Sequence, residues 1–362
     1  MSVSHIHEIV PDIKTGRKYE WIYKNREEID GMIISPDTDG FLSALLLNVI
    51  NRWKVVGFYD GRTLAILEDH NRIDEEKGTP DLTKYAFIDV EILRPSIPSI
   101  GHHMIVRRKD DVPELIKSIE KVCIQPNILR NYDVQQDFSK KYPFGTFHLL
   151  LSLLYLIHKD QRAFDFDSKN ALAPTIYADG VFKNMFNYPE NCLSWLEFLT
   201  KMDEKNPVIR ILGNTQDTGG KKLSLIESMK MMRRFFNTLS DIWKDVGGRQ
   251  KQGKLNLRED LYERGQQHSL REATQSALIQ YLEYLSNQFN WEFKRDLWPV
   301  TDAHLHVFHL EKRTITSNNL RARDYNRAIR ECPVSLAITS RGRIEYTIDP
   351  EGIFPPPGEC HR

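Results

Sequence analysis

Gly31-Met32-Ile33-Ile34-Ser35-Pro36-Asp37-Thr38-Asp39-Gly40 is the stretch on which the fold turns. Gly31–Ser35 is a short apolar run halted by Pro36, the pattern of a strand buried on both faces. Leu42, Leu45, Leu46, Val49 and Ile50 then recur at helical spacing, so Gly40–Trp53 reads as a helix. Val55–Tyr59 and Lys84–Asp89 read as the second and third strands. Strand, helix, strand in that order predicts βαβ units, a parallel sheet and the α/β class. Ligands of such sheets bind beyond the carboxyl ends of the strands. Asp37, Asp39 and Asp89 all fall there, and folding alone does not require three acids at one edge.

Further along, Pro113–Glu120 and Thr146–His158 read as helices, and Ala173–Ala178 is a short apolar run ending at Asp179. Gly219–Trp298 is helical in pattern, with Lys- and Arg-rich polar faces and a loop over Val246–Leu255. His304, His306 and Phe308 then share one parity. Arg321–Glu331 is helical and Pro333 ends it. Val334–Thr339 and Arg343–Ile348 read as strands joined at Ser340-Arg341-Gly342. The expected organisation is a parallel-sheet α/β domain over 1–200, a helical connector over 201–300, and a smaller α/β substrate-binding domain over 301–352. A frayed, extended tail over 353–362 follows.

The 362 residues carry 50 Lys plus Arg against 50 Asp plus Glu, a formal net charge of zero. A neutral chain has no global basic field with which to hold long nucleic acid, so any such contact is a local patch. The four cysteines, Cys123, Cys192, Cys332 and Cys360, form no CxxC pair. That argues against a zinc ribbon or a dense disulfide framework and for a reducing, cytoplasmic compartment. Met1–Glu20 lacks the apolar core of a secretory signal, and Leu149–Leu156 is too short to span a bilayer, so no membrane partner is expected. Gly219-Gly220-Lys221-Lys222 lacks the spacing of a phosphate-binding P-loop.

The acids suggest metal chemistry. Hard divalent cations take oxygen ligands, and Mn²⁺ also accepts imidazole. A two-metal phosphoryl-transfer site holds its ions roughly 3.5–4 Å apart and needs a bridging carboxylate. Asp37 and Asp39, two residues apart, can each serve one ion, and Asp89 is placed to bridge. Of His102 and His103, one imidazole can bind metal while the other faces substrate, and Asp179 can complete a shell. Each residue has a plainer reading. Asp37 and Asp39 suit helix capping, Asp89 and Asp179 suit turns, and adjacent histidines often sit in loops. Arg321, Arg323, Arg327, Arg330, Arg341 and Arg343 suit phosphate oxygens, or else a solvated surface. His304 and His306 can line a strand face toward substrate, or be structural.

Taken together, these residues resemble the DHH phosphoesterase superfamily, in particular its RecJ-like and oligoribonuclease-like members. Ser35-Pro36-Asp37-Thr38-Asp39-Gly40-Phe41-Leu42-Ser43-Ala44 resembles the first motif, Phe87-Ile88-Asp89 the second, Gly101-His102-His103 the third and Ile176-Tyr177-Ala178-Asp179-Gly180-Val181-Phe182 the fourth. The resemblance covers about residues 28–200. It implies a parallel α/β domain, a helical linker and a smaller α/β domain, with two Mn²⁺ ions (or Mg²⁺). Asp37 and Asp89 would hold one ion, and Asp39, Asp89, His102 and Asp179 the other. His103 would contact the scissile phosphate or protonate the leaving group. The chain departs from the motifs at Ile33, where many members carry His, and at Ser35, where the RecJ-like branch is acidic. It departs again at Gly101, where the triplet begins with Asp. The ion at Asp37 is therefore short of a ligand.

The expected function is hydrolysis of phosphodiester bonds in nucleotides, cyclic dinucleotides or short oligonucleotides. Two alternatives stand beside it. One is a degenerate scaffold that binds single-stranded nucleic acid or a protein partner; separately, an oligomer or a protein partner is compatible with either reading. The other is a RecJ-like single-strand exonuclease.

Overall fold

The computed structural model describes residues 19–23, 26–68, 73–74, 79–159, 161–213, 220, 222–246, 252–264 and 267–357. Residues 1–18, Gly219, Lys221, the Gly247-Gly248-Arg249 stretch of the expected loop, and Gly358–Arg362 with Cys360 lie outside the described residues.

Among the described residues, nine strands form one mixed sheet. In chain order these are β1 (Gly31–Ile34), β2 (Val55–Tyr59), β3 (Thr63–Leu67), β4 (Tyr85–Ile88), β5 (Ser99–Ile100), β6 (Cys123–Ile124), β7 (Leu261–Arg264), β8 (Gln267–Leu270) and β9 (Leu305–His309). Their spatial order is β6-β5-β4-β1-β2-β3-β9-β8-β7. The five strands from β6 to β2 are parallel, and the rest pair antiparallel. β1 is buried along its whole length between β4 and β2, with Ile34 opposite Ile88 on one side and Phe58 on the other. That position explains its unbroken apolar run. Helix α1 (Thr38–Asn51) follows, and thirteen of its fourteen residues are buried. The α/β class is as the strand–helix–strand pattern implied.

Four stretches differ from the sequence reading. Thr63–Leu67 returns from β2 as a hairpin strand; the Asp60 carboxylate accepts the amides of Arg62 and Thr63, both at 2.8 Å, and closes the turn. The Ala173–Ala178 run is the end of helix α3 (Ser168–Tyr177), which follows α2 (Thr146–Ile157). The segment expected to be helical over 219–298 does supply α6 (Leu225–Ile242) and α7 (Glu272–Gln288), after α4 (Val181–Asn187) and α5 (Pro189–Met202). It also supplies the hairpin β7–β8 at the sheet edge, where short polar strands pair through backbone and need little apolar signal. The tail is anchored through residue 354: Ile353 and Phe354 are buried, and the Phe354 ring packs on Tyr59 and Phe87.

A second, three-stranded sheet lies across the carboxyl ends of the parallel strands. Its order is β10 (Glu311–Thr316), β12 (Arg343–Ile348), β11 (Ser335–Ser340), with α8 (Ala322–Arg330) between β10 and β11 in sequence. Backbone bonds stitch it to the loops of the large sheet: Val334 accepts from Leu93 at 2.7 Å and Ile338 donates to Met104 at 2.9 Å. The buried Arg94 guanidinium donates to the carbonyls of Leu93, Pro333, Cys332 and Pro355. Tyr59 and Thr347 add side-chain bonds across the same seam. β9 itself belongs to the large sheet, paired with β3 over five residues.

Candidate metal centre and its cleft

The first motif is built on a forced turn. A side-chain carbon on Gly40 would lie 2.1 Å from the Ser35 carbonyl oxygen, so glycine is what lets α1 start so soon after β1. Asp37 is the N-cap of α1, accepting the Gly40 amide at 3.3 Å, so its capping role is real. Its other oxygen faces the Lys254 ammonium at 3.7 Å. Asp39, in the first turn of α1, is buried and points across to the start of α2. There the amides of Thr146 and Phe147 donate to its two oxygens at 2.6 and 2.9 Å. The positive end of a twelve-residue helix thus stands behind that carboxylate.

Asp89 follows β4 with φ +66°, and Asp179 follows α3 with φ +50°. Two acids held in left-handed backbone at one site mark a place where local strain is tolerated for the sake of side-chain direction. His102, just past β5, lies among them. Its Nδ1 is 3.3 Å from Asp89 Oδ1 and 3.7 Å from Asp39 Oδ2, and its Nε2 is 3.3 Å from Asp179 Oδ2. The Thr146 hydroxyl donates to Asp89 at 2.7 Å and lies 3.0 Å from His102 Nδ1. Asp39, Asp89 and His102 bring ligand atoms within 4.8 Å of one another. Two carboxylates and one imidazole, buried together, are a donor set that could hold a divalent cation. Asp179 joins from the solvent side, with its side chain 41 % exposed.

The electrostatics follow from burial and crowding. Burial and then the neighbouring Asp89 push the Asp37 carboxyl up to about 6, with Lys254 pulling the other way. The same two causes raise Asp39 well above the usual carboxylate range. Burial also works against Asp89 and Asp179, yet hydrogen bonds and charge from His102 outweigh it and hold both below that range. Burial disfavours the His102 imidazolium, but Asp179 and Asp89 outweigh it and raise His102 well above its ordinary value.

His103 stacks on His102 with ring centroids 4.3 Å apart. Behind it is a residue that sequence reasoning missed. The Glu91 carboxylate, 2 % exposed, accepts the His103 amide at 2.6 Å and lies 3.3 Å from its Nδ1. A side-chain carbon at Gly101 would fall 2.4 Å from that carboxylate. Glu91 therefore fills the space that an acid at position 101 would need. The only sequence signal was its place two residues after Asp89. Thr146 and Lys254 were missed too; nothing local distinguishes a threonine at a helix start or a lysine in a loop.

A cleft of about 240 Å³ opens over this cluster between the two sheets, lined by Asp37, Asp89, Glu91, His102, His103, Asp179 and Lys254, and by Lys312 and Ser335–Ala337 from the small sheet. Of the expected substrate contacts, Arg341 lines an adjoining groove. Arg343 pairs with Glu345 at 2.8 Å, Arg323 pairs with Asp324 at 3.4 Å, and Arg321 precedes α8; none of these three lines the cleft. His304 bonds Ser269 beside the start of β9. β9 runs antiparallel to β3, with Leu305 opposite Leu67 and His309 opposite Thr63, so His304 sits at the end of the sheet away from the cleft.

The chain matches no family model, no curated protein and no solved structure. Among the described residues no helix is long and apolar enough to cross a membrane.

His148, the third residue of α2, accepts the Gly145 amide at 3.2 Å and supports the helix start whose amides bind Asp39. Burial pulls its imidazole from 6.5 down to about 4. The unfolded chain takes the proton first as pH falls. The stability of the neutral form is therefore intact above about 6.5 and drains away toward 4. At about 1.4 kcal/mol per pKa unit the loss is on the order of 3 kcal/mol. Urea unfolding at pH 7 and pH 4.5 should show the wild type losing more stability than His148→Asn; equal losses would assign the acid sensitivity elsewhere.

Proposed function

We propose that the chain is a divalent-metal-dependent phosphoesterase of the DHH kind, acting on phosphodiester bonds of nucleotides, cyclic dinucleotides or short oligonucleotides. The observation that carries this reading is the buried Asp39–Asp89–His102 group beneath a cleft at the carboxyl ends of β1, β4 and β5. A Mn²⁺ ion bound by these residues would supply Lewis-acid activation of the phosphoryl group and of water.

The protein's own groups have distinct tasks. The α2 amides and the Thr146 hydroxyl hold Asp39 and Asp89 in place, and Asn127 fixes the loop by donating to the His102 carbonyl at 3.1 Å. Glu91 takes the Nδ1 side of His103, which leaves Nε2 for proton transfer to a leaving group. The adjoining groove, about 730 Å³, shares His102, His103 and Asp179 with the cleft and carries Lys141, Lys183, Arg341, Tyr142 and Tyr188. Cations interleaved with aromatic rings suit a short single strand, whose phosphates and bases they can meet in turn. The zero net charge favours short substrates over long duplexes.

The test is hydrolysis of bis-p-nitrophenyl phosphate, cyclic dinucleotides and oligonucleotides of two to five residues, with Mn²⁺ and with chelator. Turnover should require the metal, and His103→Ala should lower it by about a hundredfold or more. Metal-independent turnover would overturn the reading. So would a protein that retains no Mn²⁺ yet still binds oligonucleotide, which is the scaffold's behaviour.

A further inference from the structure

We propose that the cleft takes one divalent ion, on Asp39, Asp89 and His102, and that the Lys254 ammonium stands where a second ion would otherwise sit, neutralising Asp37 and meeting the phosphate from the opposite side. The inference rests on the phosphoesterase reading and concerns how that site is charged.

Asp37 is poorly furnished for metal. One oxygen receives the Gly40 amide and the other faces Lys254 Nζ at 3.7 Å. Ile33 is fully buried in an apolar cluster, and Pro36 offers no side-chain donor. Among the described residues, Asp37 does not join the one group of three metal-ligating side chains. A divalent ion on the Asp37 carboxylate would also lie within a few ångströms of a like charge.

The ammonium is positioned rather than adrift. Asp37 and Lys254 face each other in an antiparallel bridge, and the Leu255 amide donates to Pro36 at 2.8 Å. The Thr38 hydroxyl donates to the Gly253 carbonyl at 3.0 Å and lies 2.8 Å from the Tyr281 hydroxyl. Tyr177 holds the Gln252 carbonyl at 2.7 Å. A side-chain carbon on Gly253, whose φ is +77°, would come within 2.7 Å of Thr38 Oγ1, so the segment lies tightly against the metal loop. The Lys254 side chain stays 49 % exposed and lines the cleft, which leaves its other N–H groups for an anion. Lys312, on the far wall, is held by Glu345 at 2.8 Å. Among the described residues, Lys254 is thus the ammonium paired directly with the acidic cluster.

The test loads the full chain with Mn²⁺, removes free metal, and measures retained Mn²⁺ by elemental analysis and Mn²⁺ binding by calorimetry. Inorganic phosphate is then titrated into the loaded protein. One equivalent per chain is expected. Phosphate should bind about tenfold or more weakly to Lys254→Met, and within a few fold of wild type to Lys254→Arg. Two equivalents would overturn the inference and leave the phosphoesterase reading standing. No retained metal would overturn both. One equivalent with unchanged phosphate affinity in Lys254→Met would remove Lys254 from the site's charge.

Discussion

Asp89→Asn should lose about a thousandfold or more in Mn²⁺-dependent phosphodiesterase turnover while still unfolding cooperatively, with a modest change in melting temperature, without metal. The two halves of that result have separate causes. Asp89 is the carboxylate that meets both Asp39 and His102, so the amide removes a charged ligand from the centre of the group. A missing ligand worth about 4 kcal/mol of transition-state stabilisation corresponds to that rate loss. The fold tolerates the change well. Asn retains an oxygen to accept the Thr146 hydroxyl, and it occupies left-handed backbone such as φ +66° more readily than most residues. It also removes the charge that helps push Asp37 and Asp39 upward. Asp89→Ala lacks these compensations and should be less stable than Asp89→Asn. Turnover on bis-p-nitrophenyl phosphate and thermal unfolding with chelator measure both halves. Activity within tenfold of wild type would remove Asp89 from the chemistry, and a large drop in melting temperature would make its role structural.

Gly101→Asp should damage the protein, although it restores the acidic first position of the Asp-His-His triplet that the third motif resembles. A side-chain carbon at 101 lands 2.4 Å from the Glu91 carboxylate, which is itself 2 % exposed. Overpacking and two buried like charges together cost about 3–5 kcal/mol. For a chain of this size, that lowers the melting temperature on the order of 5–10 °C. The double variant Glu91→Gly/Gly101→Asp opens the space and leaves one carboxylate beside His103, so most of the loss should return. Such coupling is what a double-mutant cycle measures. Melting of Gly101→Asp at the wild-type temperature would show that Glu91 can leave its place without penalty.

These two variants mark how far the primary structure could be read. The βαβ start was legible because β1 is buried on both faces and α1 keeps helical period, so local pattern and tertiary environment agree. Asp37, Asp39, Asp89, His102 and Asp179 were legible as a group because each follows a strand-like or apolar run at an expected interval. The structure lines one cleft with Asp37, Asp89, His102 and Asp179 and sets Asp39 behind it, grouped with Asp89 and His102. The edge hairpin β7–β8 was not legible, since edge pairing is specified by backbone partners more than by side-chain period, whereas β3 is a buried interior strand whose short apolar run was passed over. Arg321, Arg323, Arg343 and His304 were read from type alone, and their directions place them elsewhere or in pairs with nearby acids.

By itself the sequence determined the α/β class, the acidic edge and the two histidines, because strand burial, helical period and the spacing of acids are local properties. Only the tertiary structure decided which charges meet. Glu91 reaches His103 through a loop between β4 and β5, Thr146 arrives on the end of α2, and Lys254 comes on the segment whose Gly253 accepts from Thr38 across 215 residues. Electrostatic partnership depends on distance in space, and no spacing along the chain encodes it.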